Sequence, residues 1–207
     1  MGPLFAFLFL HAWETTASLS GREAFAYRFS LTAAEMTGLV VKSLLVLVPL
    51  ALHAGLGLGL IARARGGNDS ARYPSYGLRV LQWITGGMTA VFLVVHLSVT
   101  WAPRFGGVSA KAIYDVLMAR AGTPTQLVIA GLGIASLCFH VGQGLAATCV
   151  TWGWVAGEGG LRRARIGAGL IALCFFLVFI NNLSHFVAGR ALAFEPSTEI
   201  HSDAIVE

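Results

Sequence analysis

Charged residues are scarce in this sequence. Aspartate, glutamate, lysine and arginine make up 12% of its 207 residues, whereas hydrophobic residues make up 56%. A soluble domain usually carries about 25% charged residues, so the shortage predicts an integral membrane protein whose main solvent is the lipid bilayer. The formal net charge of +4 is attributed to membrane orientation and not to nucleic-acid binding, because arginines cluster in short loops between apolar stretches.

Cysteines are also few. The chain has three, Cys138, Cys149 and Cys174, and each lies within an apolar run. They form no CxxC pair and no CxxCH motif, so the usual sequence signatures of a redox dithiol and of covalent cofactor attachment are absent. We expect all three to be small buried hydrophobic residues.

Long apolar runs occupy most of the chain. A helix needs roughly 20 apolar residues to cross a bilayer, and four runs meet that length while a fifth, at the N-terminus, is shorter. The predicted fold is an all-α integral membrane protein, one domain over residues 1–207 with a polar outer tail at 195–207. Residues 109–122 are amphipathic and predict a short interfacial helix. The five predicted transmembrane helices of the bundle are about 2–17, 36–62, 80–102, 125–156 and 166–193.

Basic residues concentrate on one side of the predicted membrane. Loops 63–79 and 158–165 share that side and hold seven arginines against two acidic residues. The positive-inside rule places these loops in the cytoplasm, so the N-terminus is predicted inside and the C-terminal tail outside. The seven residues are Arg63, Arg65, Arg72, Arg79, Arg162, Arg163 and Arg165.

Five of the six histidines lie within or at the edge of predicted spans, namely His11, His53, His96, His140 and His185. At 1.5 Å per residue, His53 and His140 lie roughly 25 and 22 Å from the outer face, whereas His96 lies roughly 24 Å from the inner face. His11 shares the outer level with His96. The histidines thus form two pairs by depth, His53 with His140 and His11 with His96, separated by about 15 Å along the membrane normal.

Two histidines that face each other across a helical bundle are typical axial ligands of a b-type haem held without covalent attachment. Glycines beside the predicted ligands, such as Gly55, Gly57 and Gly142, would leave room for a porphyrin or would only allow close helix packing. Any single histidine could instead hydrogen-bond a backbone carbonyl. Zinc is a further alternative, although its sites usually include cysteine or carboxylate and no carboxylate is expected near these levels. The residues therefore predict two stacked b haems in the bundle.

The segments around the histidines also resemble a known family. "VPLALHAGLGLGLIAR", "VLQWITGGMTAVFLVVHLSVTW" and "CFHVGQGLAATCVTWG" are similar to the membrane anchors of succinate:menaquinone oxidoreductases and quinol:fumarate reductases, in particular the five-helix, di-haem cytochrome b subunit of bacteria. The resemblance covers about residues 8–155, and "GREAFAYRF" resembles the family's first outer loop.

The resemblance implies that His53 and His140 hold the proximal haem and that His11 and His96 hold the distal haem. It also implies an anchor subunit in the bacterial cytoplasmic membrane that passes electrons from an iron–sulfur subunit to a quinone, most typically menaquinone. The iron–sulfur subunit and a flavoprotein would dock on the cytoplasmic face, and the dicarboxylate chemistry would belong to the flavoprotein. A dimer of the whole complex is left open, and no nucleic-acid partner is expected.

Four further residues are candidates with a second interpretation each. Lys42, Arg63 and Arg79 could donate to haem propionates, although Lys42 could instead extend to the interface and the arginines could be topological anchors. Glu35 at the outer start of the second span could exchange protons with the quinone, or simply stabilise a helix N-terminus. Trp101 is interpreted as an interfacial aromatic anchor.

Two competing functions remain at this stage. The first is a cytochrome b of another respiratory dehydrogenase, of the hydrogenase or formate dehydrogenase type, against which the motif "HVGQGL" followed by "VTWG" argues. The second is an anchor or transporter without haem, in which the histidines bind protons or a substrate.

The role of Glu35 can be tested by the Glu35→Gln variant, which keeps the shape of the side chain but cannot carry its charge. We expect both haem spectra to stay nearly unchanged and quinone-linked turnover to fall about tenfold or more, as is typical of lost general acid–base catalysis. Succinate oxidation with a soluble artificial acceptor should survive, because that path bypasses the quinone. Normal quinone turnover would assign Glu35 to the helix start alone.

Overall fold

The computed structural model describes residues 2–33, 36–63 and 75–193. Within these ranges the chain is helical and contains no β-strand. The predicted polar tail at 195–207 lies outside the described residues, as does most of the predicted loop 63–79. The helices are α1 (Gly2–Thr16), a 3₁₀ turn (Ala17–Ser20), α2 (Arg22–Ala33), α3 (Met36–Arg63), α4 (Tyr76–Thr100), α5 (Ala102–Phe105), α6 (Ala110–Ala121), α7 (Pro124–Thr151) and α8 (Gly157–Ala188).

Four stretches are long and apolar enough to cross a membrane, and they confirm the four long predicted spans. They are Met36–Gly59, Tyr76–Phe105, Pro124–Thr151 and Gly157–Ala188. The N-terminal helix α1 has 15 residues, which is about 22 Å of helix and less than the usual length of a span. Its role as a fifth span therefore stays a proposal.

Two predicted span ends were wrong by several residues. Helix α7 ends at Thr151 and not near 156, because the chain turns at Gly153 with a φ of +70°. Helix α8 begins at Gly157, well before the predicted start at 166, so that Arg162 and Arg163 lie within the helix. Arginine is a good helix former, and charge alone does not end a helix that leaves the bilayer.

Helix α7 is the centre of the bundle and packs against α4 and α8. Its small residues allow close approach, as is common between helices in membranes. A Cβ atom on Gly133 would lie 2.2 Å from the Phe92 ring of α4, and a Cβ atom on Gly142 would lie 2.9 Å from the Cβ atom of Ala172 in α8. These glycines fix the distance between the three helices.

Helix α3 packs mainly against α1 and α2. Beyond His53 it exposes large apolar side chains such as Leu56 and Leu58, as expected of a helix that borders lipid or a bound group. The cysteines divide in the same way, since Cys138 is buried in the bundle whereas Cys174 is exposed on α8. The prediction that all three cysteines are buried was therefore wrong for Cys174.

Two short helices cover one end of the bundle. The predicted helix at 109–122 is confirmed as α6. Ser109 caps its N-terminus, and the Ser109 hydroxyl accepts a hydrogen bond of 3.2 Å from the backbone N–H of Ala112. The segment interpreted as a simple outer loop contains a second helix, α2, which packs on α6. Phe25 and Tyr114 are buried between the two helices. The end of the bundle that carries α2 and α6 is called the capped end below, and the other is called the open end.

Candidate functional site

The structure brings His53 of α3 and His140 of α7 together near the open end. Their ring centroids are 6.1 Å apart and their planes cross at 73°. Helix α4 holds His140 from the side, because the His140 Nδ1 atom lies 3.2 Å from the carbonyl oxygen of Gln82, and the Gln82 amide donates a 3.0 Å hydrogen bond to the carbonyl oxygen of His140. A backbone carbonyl at Nδ1 favours a proton there and leaves Nε2 free to bind a metal.

His11 of α1 and His96 of α4 form the second pair, near the capped end. Their ring centroids are 5.9 Å apart at an interplanar angle of 80°. Phe7 stacks on His11 at 5.5 Å, Phe92 lies 5.5 Å from His96 and Phe179 lies 6.0 Å from His11. Aromatic rings thus flank the pair on several sides.

The two pairs lie on different levels. The His140 ring packs against Gly86, where an added Cβ atom would lie 2.8 Å from its Cε1 atom. His96 follows Gly86 by ten residues on the same helix, which is about 15 Å along the axis. This is the separation and the pairing that the depths of the histidines predicted.

Each pair has the spacing that a metal between two imidazoles requires. Two metal–nitrogen bonds of about 2.0 Å, each extended by roughly 1.1 Å to the ring centroid, place the centroids about 6.2 Å apart. The observed values are 6.1 and 5.9 Å. Open space adjoins the first pair, since a Cβ atom on Gly55 or Gly57 would meet no atom within 4 Å. The residues present therefore fit a bis-histidine haem.

Within the described ranges, no group of three or more histidine, cysteine, aspartate or glutamate side chains converges on a common point. A protein site for zinc usually needs three or four such ligands. A haem needs only one or two axial ligands from the protein, because the porphyrin supplies the other four. The donor sets are therefore suited to haem.

Sequence reasoning missed a buried ion pair beside the second histidine pair. Glu14 of α1, which is 2% exposed, accepts a hydrogen bond from the ammonium group of Lys42 of α3, which is 7% exposed. Glu14 also lies 4.0 Å from His11, measured from its Oε2 atom to Nδ1. The expectation that no carboxylate lies near the histidines was thus wrong. Opposite charges in two apolar runs were the signal, since intramembrane charges usually pair with one another.

The other predicted site residues are placed as follows. The Lys42 ammonium group donates a hydrogen bond to Glu14, and its interaction with a haem propionate stays a prediction. The Arg79 guanidinium group lies 5.2 Å from the Tyr76 ring and 5.6 Å from the Trp83 ring, at the open end. Arg63 is the last residue of α3, and its side chain and the whole of Glu35 lie outside the described residues.

Trp101 is part of the interior at the capped end. It is 7% exposed, and its indole N–H donates a 2.8 Å hydrogen bond to the hydroxyl of Ser43. The interpretation of Trp101 as an interfacial anchor was wrong, because its side chain is buried in a cluster with Leu39, Phe7 and Phe29. The indole instead ties α4 to α3 beside Lys42.

Hydrogen bonds also tie α8 to the rest of the capped end. The Tyr114 hydroxyl lies 3.1 Å from Nε2 of His185, and the Asn182 amide donates a 3.0 Å hydrogen bond to the hydroxyl of Thr15. Burial raises the pKa of the Tyr114 phenol, so its hydroxyl stays protonated and can donate to the imidazole. His185 therefore joins two helices and does not lie in either histidine pair.

Long apolar helices that carry two opposed histidine pairs, one near each end, are the architecture of a membrane-bound cytochrome. Comparison with known proteins identifies the relationship more closely. The chain is similar to the succinate dehydrogenase cytochrome b558 subunit of Bacillus subtilis (strain 168), with 26% identity over 152 residues, which are 73% of this chain and 74% of that relative. This similarity confirms the resemblance predicted from the motifs. No family model and no solved structure matches it.

The contact between Gly86 and His140 gives a prediction about one pair only. In Gly86→Ala the new Cβ atom would lie 2.8 Å from Cε1 and 3.1 Å from Nδ1 of His140, so the imidazole must leave the position in which it faces His53. We expect haem at the His53–His140 pair to be lost or severely weakened while haem at the His11–His96 pair is retained. Pyridine-haemochrome quantification and reduced-minus-oxidised spectra measure both.

Gly131→Ala is the matched control for this variant. Gly131 lies in α7, the helix of His140, nine residues before that histidine and so on the opposite face. An added Cβ atom there meets nothing within 4 Å. It should leave both haems in place. Full haem content in Gly86→Ala would contradict the ligand position of His140.

Proposed function

We propose that this chain is the membrane-anchor cytochrome b subunit of a succinate dehydrogenase or fumarate reductase, and that it conducts electrons between an iron–sulfur subunit and a quinone. The observation that carries the proposal is the pair of opposed histidine sites, one near each end of the bundle. The similarity to a succinate dehydrogenase cytochrome b subunit favours this function over a hydrogenase or formate dehydrogenase cytochrome and over a transporter without haem.

In this proposal His53 and His140 bind the proximal haem and His11 and His96 bind the distal haem. The two haems supply reversible one-electron chemistry at two levels of the membrane. The protein orients their ligands: Gln82 holds His140 through both its main chain and its amide. The phenylalanine rings around His11 and His96 keep water away from the second pair.

The distribution of charge supports an orientation with five spans. Helix α1 carries His11 opposite His96 and so enters the bundle to the depth of the distal site. Local thinning of the bilayer accommodates a short span of this kind. The arginines at the open end favour the cytoplasmic side for that end. The N-terminus would then lie on the cytoplasmic side of the bacterial cytoplasmic membrane.

The open end is the proposed docking face for the iron–sulfur subunit, since the His53–His140 pair lies nearest to it. Arg162 and Arg163 at the start of α8 are exposed there. The flavoprotein that performs the dicarboxylate reaction would bind through the iron–sulfur subunit. The quinone, which we take to be menaquinone, would react at the capped end beside the distal haem. Glu35, at the predicted outer start of the second span, is the proposed proton-exchanging residue.

Haem content tests the ligands directly. The wild-type chain should bind two b haems, whereas His53→Ala or His140→Ala should remove the proximal haem and His11→Ala or His96→Ala the distal haem, because each loses one axial bond and leaves a void. His185→Ala serves as the control, since it also removes an intramembrane histidine but should keep two haems. One haem or none per wild-type chain would refute the proposal.

The docking face can be tested by charge reversal. Arg162→Glu combined with Arg163→Glu should reduce co-purification of the iron–sulfur subunit at moderate salt while leaving both haems in place, because the positive face of the open end is then reversed. The control reverses Arg120 and Arg190, which are exposed at the capped end. Loss of the partner in the control alone would invert the proposed topology.

A further inference from the structure

The Glu14–Lys42 ion pair lies where it can act on one histidine pair and not on the other. Glu14 follows His11 by three residues, so both side chains lie on the same face of α1. Its Oε1 atom contacts the Lys42 ammonium group, and its Oε2 atom lies 4.0 Å from Nδ1 of His11. On α3, Lys42 precedes His53 by eleven residues, which is about 16 Å along the axis.

Aromatic rings and one further cation surround this ion pair. The Lys42 ammonium group lies 4.9 Å from the centroid of the Phe29 ring and 5.6 Å from that of the Trp101 ring. The Arg104 guanidinium group lies on the Phe29 ring as well, at 5.0 Å. In so dry an environment charges interact far more strongly than in water, so even a neutral pair creates a field at a neighbouring group.

The carboxylate is the member of the pair that faces His11. Metal-ligating histidines commonly direct their second ring nitrogen toward a carboxylate or carbonyl, which fixes the tautomer and raises the basicity of the ligand. A more basic ligand and a nearby negative charge both stabilise ferric haem over ferrous haem. The positive charge of Lys42 has the opposite effect on the two oxidation states.

We propose that Glu14 is a positioning residue that orients His11 and lowers the reduction potential of the distal haem, and that Lys42 limits this effect and joins α1 to α3. The inference rests on the proposed function, because it requires a haem at the His11–His96 pair. It assigns the ion pair to the distal site alone, since the proximal site is far from both charges.

Redox titration of the purified complex, followed in the α-band of each haem, tests this assignment. Glu14→Gln keeps the side-chain shape and should raise the distal midpoint potential by at least about 59 mV, which is a tenfold change in the one-electron reduction equilibrium. Lys42→Gln should lower the same midpoint potential. The double variant should return toward the wild-type value, and the proximal midpoint potential should change much less in all three.

Glu23→Gln is the matched control. Glu23 also forms an ion pair, with Lys111 at 2.5 Å, but both side chains are largely exposed to solvent at the capped end. Screening should make this substitution silent in both midpoint potentials. A shift as large as that of Glu14→Gln would assign the effect to general charge at this end and would overturn the proposal.

The remaining outcomes separate the two levels of inference. If the wild-type chain holds haem at the His11–His96 pair but Glu14→Gln and Lys42→Gln shift the distal midpoint in the same direction, or not at all, the ion pair is only a structural tie and this inference fails alone. If the wild-type chain holds no distal haem, the proposed function and this inference fail together. Retained haem with opposite shifts supports both.

Discussion

The bilayer imposes the constraint on which this structure depends: a polar side chain within the hydrocarbon region must find a partner inside the protein. An unsatisfied polar group there costs several kcal/mol. The chain meets this constraint with specific pairs across helices. Gln82 bonds the main chain of His140, Trp101 bonds Ser43, and Glu14 bonds Lys42. These pairs, more than loop contacts, fix how the helices are rotated toward one another.

The long spans and the depth of the histidines could be predicted because both follow from fixed helix geometry. Counting residues at a rise of 1.5 Å is enough to place His53 level with His140, and the two rings lie 6.1 Å apart in the structure. No assumption about side-chain packing enters that count. The same reasoning predicted the presence of the four long spans, although two of their ends were wrong by several residues, and it left α1, which is short, without confirmation by length.

Rotation about a helix axis and the course of the loops could not be predicted in this way. Glu14 looked like the polar end of an apolar run, whereas its side chain points into the bundle toward Lys42. Trp101 ends a span in sequence, yet Leu39 of α3 and Phe29 of α2 pack against it and bury it. Helix α2 has a weak apolar periodicity, and its packing on α6 around Phe25 and Tyr114 depends on residues far away in the chain.

The pattern of contacts divides the bundle into two halves, and each half carries one histidine of each pair. Helices α4 and α7 carry His96 and His140, and they are packed tightly through Gly133 and Phe92. Helices α1 and α3 carry His11 and His53, and the Glu14–Lys42 ion pair joins them. The rise between the two pairs is thus set within each half by rigid helices.

Since each proposed haem would take one histidine from either half, the haems themselves would bridge the halves at two heights. The helices leave room for this, because the last turns of α3 around Gly55 and Gly57 have open space beside them and α3 packs mainly against α1 and α2. Such a bundle would be fully joined only with both haems in place. Assembly and electron transfer would then depend on the same four histidines.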